Sequence, residues 1–116
     1  MNKNEIYKSN DVVTMRFYAM PHELFDNPLY TNLSIESKVL YAFLLDRLKL
    51  SQQNNWVNEK DEVYLIYTRE EAMKKLTISK PTIIKAFKQL VDIGLIVERA
   101  QGLHLPKLIY ICKMKL

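Results

Sequence analysis

Three lysines and a threonine within one short segment could recognise a nucleic acid, because they combine positive charge with hydrogen-bonding groups. They are Lys80, Thr82, Lys85 and Lys88. No acidic residue interrupts this segment before Asp92. Ammonium and hydroxyl groups can donate hydrogen bonds to base edges or to phosphate oxygens. The segment therefore has the chemistry of a surface that binds a polyanion.

The four side chains are expected to make two kinds of contact with DNA. Thr82 and Lys85 are predicted at base edges, where a hydroxyl or an ammonium group can hydrogen-bond. Lys80 and Lys88 are predicted at phosphates, which position a protein without reading the sequence. The side chain of Ile84 could contact a thymine methyl group or could be half-buried core, and the sequence leaves both open.

A helix from Ser79 to Ile93 would place these side chains on its outer surface. An apolar stripe recurs at the i, i+3, i+4, i+7 spacing of an amphipathic helix, formed by Ile83, Ala86, Phe87 and Leu90. Gln89 lies outside this stripe and joins the predicted DNA-binding set, as does Pro81, which fits a first helical turn. Ser79 is predicted to cap the first turn, and Gly94 to end the helix with a positive φ.

Two further helices and three strands are predicted around this segment. A long helix begins at Ser34, a good capping residue, and runs to Ser51 with a wide apolar stripe. Thr68 and Glu71 fit the capping box of a short helix that ends near Leu76. The predicted strands are Val63–Tyr67, Leu95–Arg99 and Leu103–Cys112.

This order of elements is typical of a winged helix-turn-helix, an α+β fold with a three-helix core, a short strand and a β-hairpin wing. Two helices joined by a short turn place the second where it can reach base edges in the major groove. Pro106 favours an edge position or a bulge early in the last strand. Phosphate contacts are predicted for Tyr67, Thr68 and Arg69 at the start of the short helix. Backbone or minor-groove contacts are predicted on the wing for Arg99, Gln101, His104 and Lys107.

Charge is distributed unevenly along the chain, which agrees with a polyanionic partner. Residues 1–78 contain 10 Lys and Arg against 11 Asp and Glu, and residues 79–116 contain 7 against 2. The second part is therefore near +5 and the first near −1, from the same counts. A lysine-rich solvated surface would give the same numbers, so charge alone leaves that alternative open.

Other classes of function find little support in the sequence. His22 and His104 are far apart and have no ligand partner at metal-binding spacing, so no metal site is expected. Neither glycine belongs to a phosphate-binding loop, and we expect no enzymatic activity, no cofactor and no small-molecule substrate. A single cysteine, Cys112, and the lack of a signal peptide or spanning segment favour the cytoplasm without membrane association.

The chain divides into an N-terminal arm, residues 1–33, and a winged domain, residues 34–116. Five of the 12 aromatic residues of the chain lie in the arm. This is too much apolar surface for a tail in water. The arm could wrap its own domain, or part of it could pack on a second copy and form a homodimer.

A resemblance to a known family is most specific in the stretch FYAMPHELFDNPLYTNLS followed by SKVLYAFLLDR. It extends through SKPTIIKAFKQLVDIGLI. Over about Met15–Lys113 the chain resembles the N-terminal domain of the RepA plasmid replication initiators of Gram-positive bacteria, including those of staphylococcal multiresistance plasmids. The resemblance implies a domain that binds double-stranded origin repeats (iterons) as a dimer. It also implies that a C-terminal domain for recruiting replication factors follows in the family, and that this chain is the isolated DNA-binding part.

Two other functions are compatible with a winged helix. A protein-docking or oligomerisation module of a primosome-type protein should expose apolar residues or mixed charge on the second helix, whereas this one exposes lysines without acids. A transcriptional repressor would share the DNA-binding chemistry, and only the resemblance favours an initiator over it.

Overall fold

Four helices and one two-stranded sheet form the part of the chain that the computed structural model describes, residues 4–116. In chain order they are α1 (Glu23–Asp26), α2 (Ile35–Gln53), α3 (Arg69–Leu76), α4 (Lys80–Asp92), β1 (Ile96–Arg99) and β2 (Leu108–Ile111). The strands pair antiparallel, with Ile96 opposite Ile111 and Arg99 opposite Leu108. The α+β fold class predicted from the sequence is confirmed, with α3 and α4 as the helix-turn-helix and β1–β2 as the wing.

Helix α4 lies at the centre of the domain. Its predicted apolar stripe is confirmed, because Ile83, Ala86, Phe87 and Leu90 are all 0% exposed. The stripe packs against α2, α3 and β1. Each large side chain in it contributes about 1.5–3 kcal/mol by leaving water. Burial of this stripe fixes which face of α4 points outward.

The ends of α4 agree with the sequence except for the cap. Pro81 lies in the first turn, and Gly94 follows the helix with φ +82, as predicted. Ser79 occupies the capping position but forms no side-chain cap bond, so that part of the prediction is wrong. Its hydroxyl instead shares a hydrogen bond of 2.9 Å with the Thr82 hydroxyl. The two side chains therefore satisfy each other, and neither caps the first turn.

Helix α3 begins with the predicted capping box. The Glu71 amide donates to the Thr68 hydroxyl at 3.1 Å, and the Thr68 amide donates to the Glu71 carboxylate at 3.3 Å. The helix ends at Leu76, and the following residue, Thr77, is left-handed with φ 54. This reversal is the short turn that leads into α4.

We expect Thr68→Ala to lower the free energy of unfolding by about 0.5–2 kcal/mol, because the variant loses one half of the capping box. Chemical denaturation followed by circular dichroism measures this change. Thr14→Ala, in the exposed part of the arm, is the matched control and should leave the stability unchanged. Equal denaturation midpoints for the two variants would contradict the role of the cap.

Two strand predictions need correction. Val63–Tyr67 is not a strand, because it forms only isolated bridges, Val57 with Val63 and Leu65 with Ile109. Backbone hydrogen bonds of 2.9 Å in both directions join Leu65 to Ile109, and this is the one point at which the backbone of the segment pairs with the wing. The last strand was predicted from residue 103 but begins at Leu108. Pro106 has no amide hydrogen to donate, and residues 100–107 form the loop at the tip of the wing.

The predicted arm behaves as two parts, with residues 1–3 outside the described residues. All residues from 4 to 20 are exposed, although the Tyr18 ring stacks on Phe43 at 4.1 Å between centroids. Leu24, Tyr30 and Leu33 are buried in the same core as α4. The Tyr30 hydroxyl also accepts a hydrogen bond of 2.9 Å from the Lys115 amide. Packing therefore continues across residue 33.

Candidate nucleic-acid interface

The outer face of α4 presents most of the α4 residues that were predicted to contact DNA. Lys80, Lys85 and Lys88 are exposed, and Ile84 is 45% exposed between them. Residues four apart lie side by side on a helix, so the positions 80, 84 and 88 form one row beside residue 85. Pro81 is exposed at the start of the helix and Thr82 is half-buried. This surface, named the α4 face below, is defined by Lys80, Ile84, Lys85 and Lys88.

The three lysines of the α4 face differ in their partners. The Lys88 ammonium lies 2.8 Å from the Asp92 carboxylate, and both side chains are more than half exposed. Exposed pairs of this kind contribute little to stability, so a phosphate can compete for Lys88. Within residues 4–116, neither Lys80 nor Lys85 forms an ion pair. The positive charge of the α4 face therefore rests mainly on these two residues.

The Gln89 side chain is half-buried and engaged within the domain, and its contact with DNA stays a prediction. Its side-chain oxygen accepts hydrogen bonds from the Ser34 amide at 3.0 Å and from the Ser37 hydroxyl at 2.7 Å. Both donors lie at the start of α2. The Gln89 side chain thus joins α4 to α2, one turn along the helix from Lys85.

Arg69, predicted at a phosphate, is instead held at the base of the wing. Its guanidinium forms two hydrogen bonds with the Glu98 carboxylate, of 2.6 and 3.0 Å, and lies 3.9 Å from the centre of the Phe87 ring. The exposed fraction of the side chain is 28% for Arg69 and 10% for Glu98. The pair therefore links α3, α4 and β1, and a contact of Arg69 with phosphate stays a prediction.

The titration of Glu98 reflects this environment. Burial raises the pKa of its carboxyl, but hydrogen bonds from Arg69 and the charges of Arg69 and Lys107 outweigh burial. The net result is a pKa below the ordinary value of a glutamate. Glu98 is therefore ionised at neutral pH and neutralises Arg69.

The two residues before Arg69, also predicted as phosphate contacts, have partners within the domain. Tyr67 is only 6% exposed, and the Arg47 guanidinium lies 4.9 Å from its ring centre. Burial, the largest effect, raises the pKa of the Tyr67 phenol. The Thr68 hydroxyl is engaged in the capping box. Their side chains serve the core and the helix start, and a contact of either with phosphate stays a prediction.

The wing residues fall into free and engaged groups. His104 and Lys107 are exposed, and His104 has a left-handed backbone with φ 65. Arg99 is exposed but lies over the Tyr110 ring at 4.8 Å and near the Glu62 carboxylate at 3.7 Å. The Gln101 side chain donates to the Pro106 carbonyl at 2.8 Å and closes the loop. His104 and Lys107 are thus the wing side chains most open to a ligand.

The sequence prediction missed the structural role of Glu98 and the two leucines of the wing loop. Glu98 lies 29 residues from Arg69, and no local pattern connects them. Leu103 is 85% exposed and Leu105 57% exposed, although both were assigned to a strand. The signal for a loop was present in Pro106 and Gly102, which mark the chain reversal.

Comparison with protein-family models matches residues 16–116 to the family described as "Replication initiator protein A (RepA) N-terminus". The chain belongs to this family. The match covers α1 to β2, so the core, the α4 face and the wing all lie within the RepA N-terminal region. The resemblance to RepA initiators is confirmed at the level of the family.

Solved structures similar to this RepA N-terminal domain share its fold. "N-Terminal domain of DNA binding protein" is 33% identical with a TM-score of 0.79, covering 98% of this chain and 87% of that one. "Structure of Rep-DNA complex" is 37% identical with a TM-score of 0.76, covering 87% and 78%. "Structure of MDR initiator" is 35% identical with a TM-score of 0.74, covering 87% and 79%. These similarities support the winged-helix assignment.

A curated relative is longer than this chain. The "41 kDa protein" of Lactobacillus helveticus is 26% identical over 96 residues. The match covers 83% of this chain. It covers 27% of the relative, so the chain spans about a quarter of that protein's length.

None of the helices in residues 4–116 combines the length and apolar character that crossing a bilayer requires. The same residues contain no group of three or more His, Cys, Asp or Glu side chains placed to bind a metal ion.

Proposed function

We propose that this RepA N-terminal domain is the DNA-binding part of a plasmid replication initiator. It binds double-stranded origin repeats (iterons) sequence-specifically, as a homodimer, in the cytoplasm of a Gram-positive bacterium. Its role is binding rather than catalysis, and it needs no cofactor. The observation that carries the proposal is the α4 face, three lysines and an isoleucine on the outside of a helix whose other side is fully buried.

The geometry of α4 suits the major groove of B-DNA. That groove is about 12 Å wide and admits one α-helix with its side chains. Burial of Ile83, Phe87 and Leu90 fixes the rotation of α4, so the α4 face cannot turn away from a ligand without unpacking the core. A fixed helix presents its side chains to base edges at defined positions, which sequence recognition requires. The similarity to a protein described as a Rep–DNA complex also supports this mode.

The residues of the α4 face have different roles in this proposal. Lys85 and Thr82 hydrogen-bond with base edges, and Ile84 contacts a thymine methyl group. Lys80 at the start of the helix and Lys88 near its end bind phosphates. Lys88 exchanges its contact with Asp92 for a phosphate oxygen on binding. The first turn of α4 has no side-chain cap, so its amide groups, which Pro81 lacks, add to the attraction for phosphate.

The wing completes the proposed interface beside the groove. Lys107 and Arg99 supply charge for the phosphate backbone, and His104 supplies a polar group at the tip. Gln101 contributes by closing the loop rather than by touching DNA. The wing therefore adds contacts outside the major groove.

Exposed apolar residues in the arm support a homodimer. Ile6 is 83% exposed, Val12 77% and Phe17 68%. An apolar surface of this kind is typical of a protein–protein contact. A second copy of the chain would cover it, and sedimentation of the free domain would give the mass of a dimer. Sedimentation as a monomer at high concentration would contradict this part.

The experiment that tests DNA recognition is a titration with two fluorescent duplexes. One carries the origin repeats of the plasmid that encodes the chain, and the other a scrambled sequence of the same length. Specific binding predicts a large difference in affinity at several salt concentrations, and the logarithm of the affinity should fall by about 0.9 per phosphate contact with the logarithm of salt. Equal affinity at moderate salt would contradict origin recognition, and no binding to either would favour a docking module.

We expect Lys85→Ala to weaken binding to the origin duplex by about 1–3 kcal/mol, or roughly 5- to 150-fold, because a base contact is lost. Binding to the scrambled duplex should change much less. Lys88→Ala should weaken both duplexes alike and reduce the salt slope by about 0.9. Lys49→Ala, an exposed lysine of α2, is the matched control. If Lys85→Ala and Lys88→Ala had the same effect on both duplexes, the division of roles on the α4 face would be wrong.

A further inference from the structure

The tip of the wing exposes two leucines to solvent. Leu103 is 85% exposed and Leu105 is 57% exposed, both within the loop of residues 100–107. Leu103 keeps nearly its whole side chain in water, where it contributes nothing to the core. Leu105 leans toward the cleft between the wing and the start of α3, which Thr68, Arg69 and Lys107 also line. Leu103 is therefore the apolar residue that the wing presents outward.

The conformation of this loop is held by specific contacts. The Gln101 side chain donates to the Pro106 carbonyl at 2.8 Å, and the Leu105 amide donates to the Gly102 carbonyl at 3.3 Å. Gly102 has φ +137 and His104 has φ +65 on either side of Leu103. A left-handed conformation is uncommon for residues other than glycine and marks a tight turn here. The loop is thus shaped so that Leu103 stands at its apex.

The base of the wing is fastened to the helix-turn-helix. The Arg69–Glu98 pair joins β1 to the start of α3 over the Phe87 ring of α4. On the other strand, Leu65 and Ile109 exchange two backbone hydrogen bonds of 2.9 Å. The wing therefore has a defined position relative to α3 and α4, and its tip can meet a ligand that α4 has bound.

The charges around the tip indicate the ligand. No acidic residue occurs from Arg99 to Leu116, and Lys107 and His104 are exposed beside the leucine. An apolar apex surrounded by cations fits a ligand with negative edges and an apolar interior. The minor groove of DNA has phosphates on both walls and stacked bases at its floor. Other minor-groove proteins insert leucine between base steps and kink the duplex.

We propose that Leu103 is an apolar wedge of the wing that enters the minor groove, partly unstacks one base step and bends the duplex. This inference rests on the proposed function, because α4 must bind the adjacent major groove first. Lys107 and Arg99 bind the phosphates on the two sides of the wedge. The bend turns the DNA toward the major groove, by an angle in the range of about 20–90° seen for such wedges. Flexible pyrimidine–purine steps are the expected insertion points, because they unstack most readily.

Leu103→Ala tests the wedge without disturbing the core, since the side chain is 85% exposed. The bend is measured by energy transfer between dyes at the two ends of the origin duplex. Unstacking is measured by the fluorescence of 2-aminopurine placed in turn at each adenine of the repeat. We expect the variant to lose both signals and to bind roughly 10-fold more weakly, the scale set by burial of one leucine side chain. The salt slope should not change, because no phosphate contact is removed.

Leu116→Ala is the matched control, a leucine that is 95% exposed outside the wing, and it should keep wild-type bending and affinity. The inference is overturned if Leu103→Ala bends and binds the duplex like the wild type. It is also overturned if the variant changes only the sedimentation of the free domain, since the tip would then contact a second copy. Failure of the wild-type domain to bind the origin duplex would instead reject the proposed function itself. That result differs from wild-type binding and bending by Leu103→Ala, which rejects the wedge alone.

Discussion

Replacing Phe87 by alanine should lower the free energy of unfolding by about 3–5 kcal/mol, the range for deleting a fully buried aromatic ring. The ring is 0% exposed on α4, among side chains of α2, α3 and β1. It also forms the apolar support of the Arg69 guanidinium at 3.9 Å, and this contact is lost with the ring. Domains of this kind have a total stability of only about 5–15 kcal/mol, so the variant should be close to unfolding.

Urea denaturation followed by circular dichroism measures the loss. The matched control is Phe17→Ala in the arm, where the ring is 68% exposed. That variant should stay within about 0.5 kcal/mol of the wild type if the free arm contributes no core packing. A Phe87→Ala midpoint equal to that of Phe17→Ala would show that α4 is not the centre of the core.

Removing the guanidinium of Arg69 should destabilise the domain by about 3 kcal/mol, because Glu98 would keep its charge at the base of the wing without a partner. We take the lower end of the range for breaking a buried pair, since the Arg69 side chain is still 28% exposed. Arg69→Met retains most of the apolar stem that lies against Phe87. The loss therefore reports on the charge rather than on packing.

The double variant Arg69→Met/Glu98→Met separates the two contributions. Replacing both partners by apolar groups removes the unpaired charge, so the double variant should recover most of the lost stability. Equal stability of the single and double variants at pH 7 would mean that the Glu98 charge is already screened by water. In either case, urea midpoints of the two variants and the wild type supply the comparison.

The difference in stability between the wild type and Arg69→Met should also depend on pH. The pKa of Glu98 is lowered in the folded wild type, so its contribution to stability is present above the unfolded pKa. That contribution is lost as the pH falls through the folded pKa. In Arg69→Met, burial still raises the pKa of Glu98, and only the charge of Lys107 is left to lower it. The pKa of Glu98 is therefore higher than in the wild type. The difference in stability between wild type and Arg69→Met should therefore be full at neutral pH and shrink in acid.

The parts of the fold that local sequence determines were predicted well. The capping box of Thr68 and Glu71, the buried stripe of α4 and the positive φ of Gly94 each depend on residues a few positions apart. Periodicity and capping chemistry act over that range, so the sequence displays them directly. The lysines of the α4 face followed from the same periodicity.

Contacts between distant residues could not be predicted in this way. Gln89 lies beside the apolar stripe, and only the fold shows that its partners are Ser34 and Ser37, more than 50 residues away. Arg69 is positively charged near a helix start, which alone favours phosphate, but the fold brings Glu98 to it. The Val63–Tyr67 run has strand-forming residues, yet the short β2 offers it a pairing partner at Leu65 alone.

The link between Tyr30 and Lys115 has a consequence for folding during synthesis. The Lys115 amide donates to the Tyr30 hydroxyl at 2.9 Å, and Asn27 donates to the Lys115 carbonyl at 3.0 Å, across 85 and 88 residues. A chain leaves the ribosome N-terminus first, at about 5–20 residues per second, so these bonds form only after nearly the whole domain has emerged. Until then Leu24 and Tyr30 lack part of their cover, and the emerging chain exposes an apolar segment to chaperones.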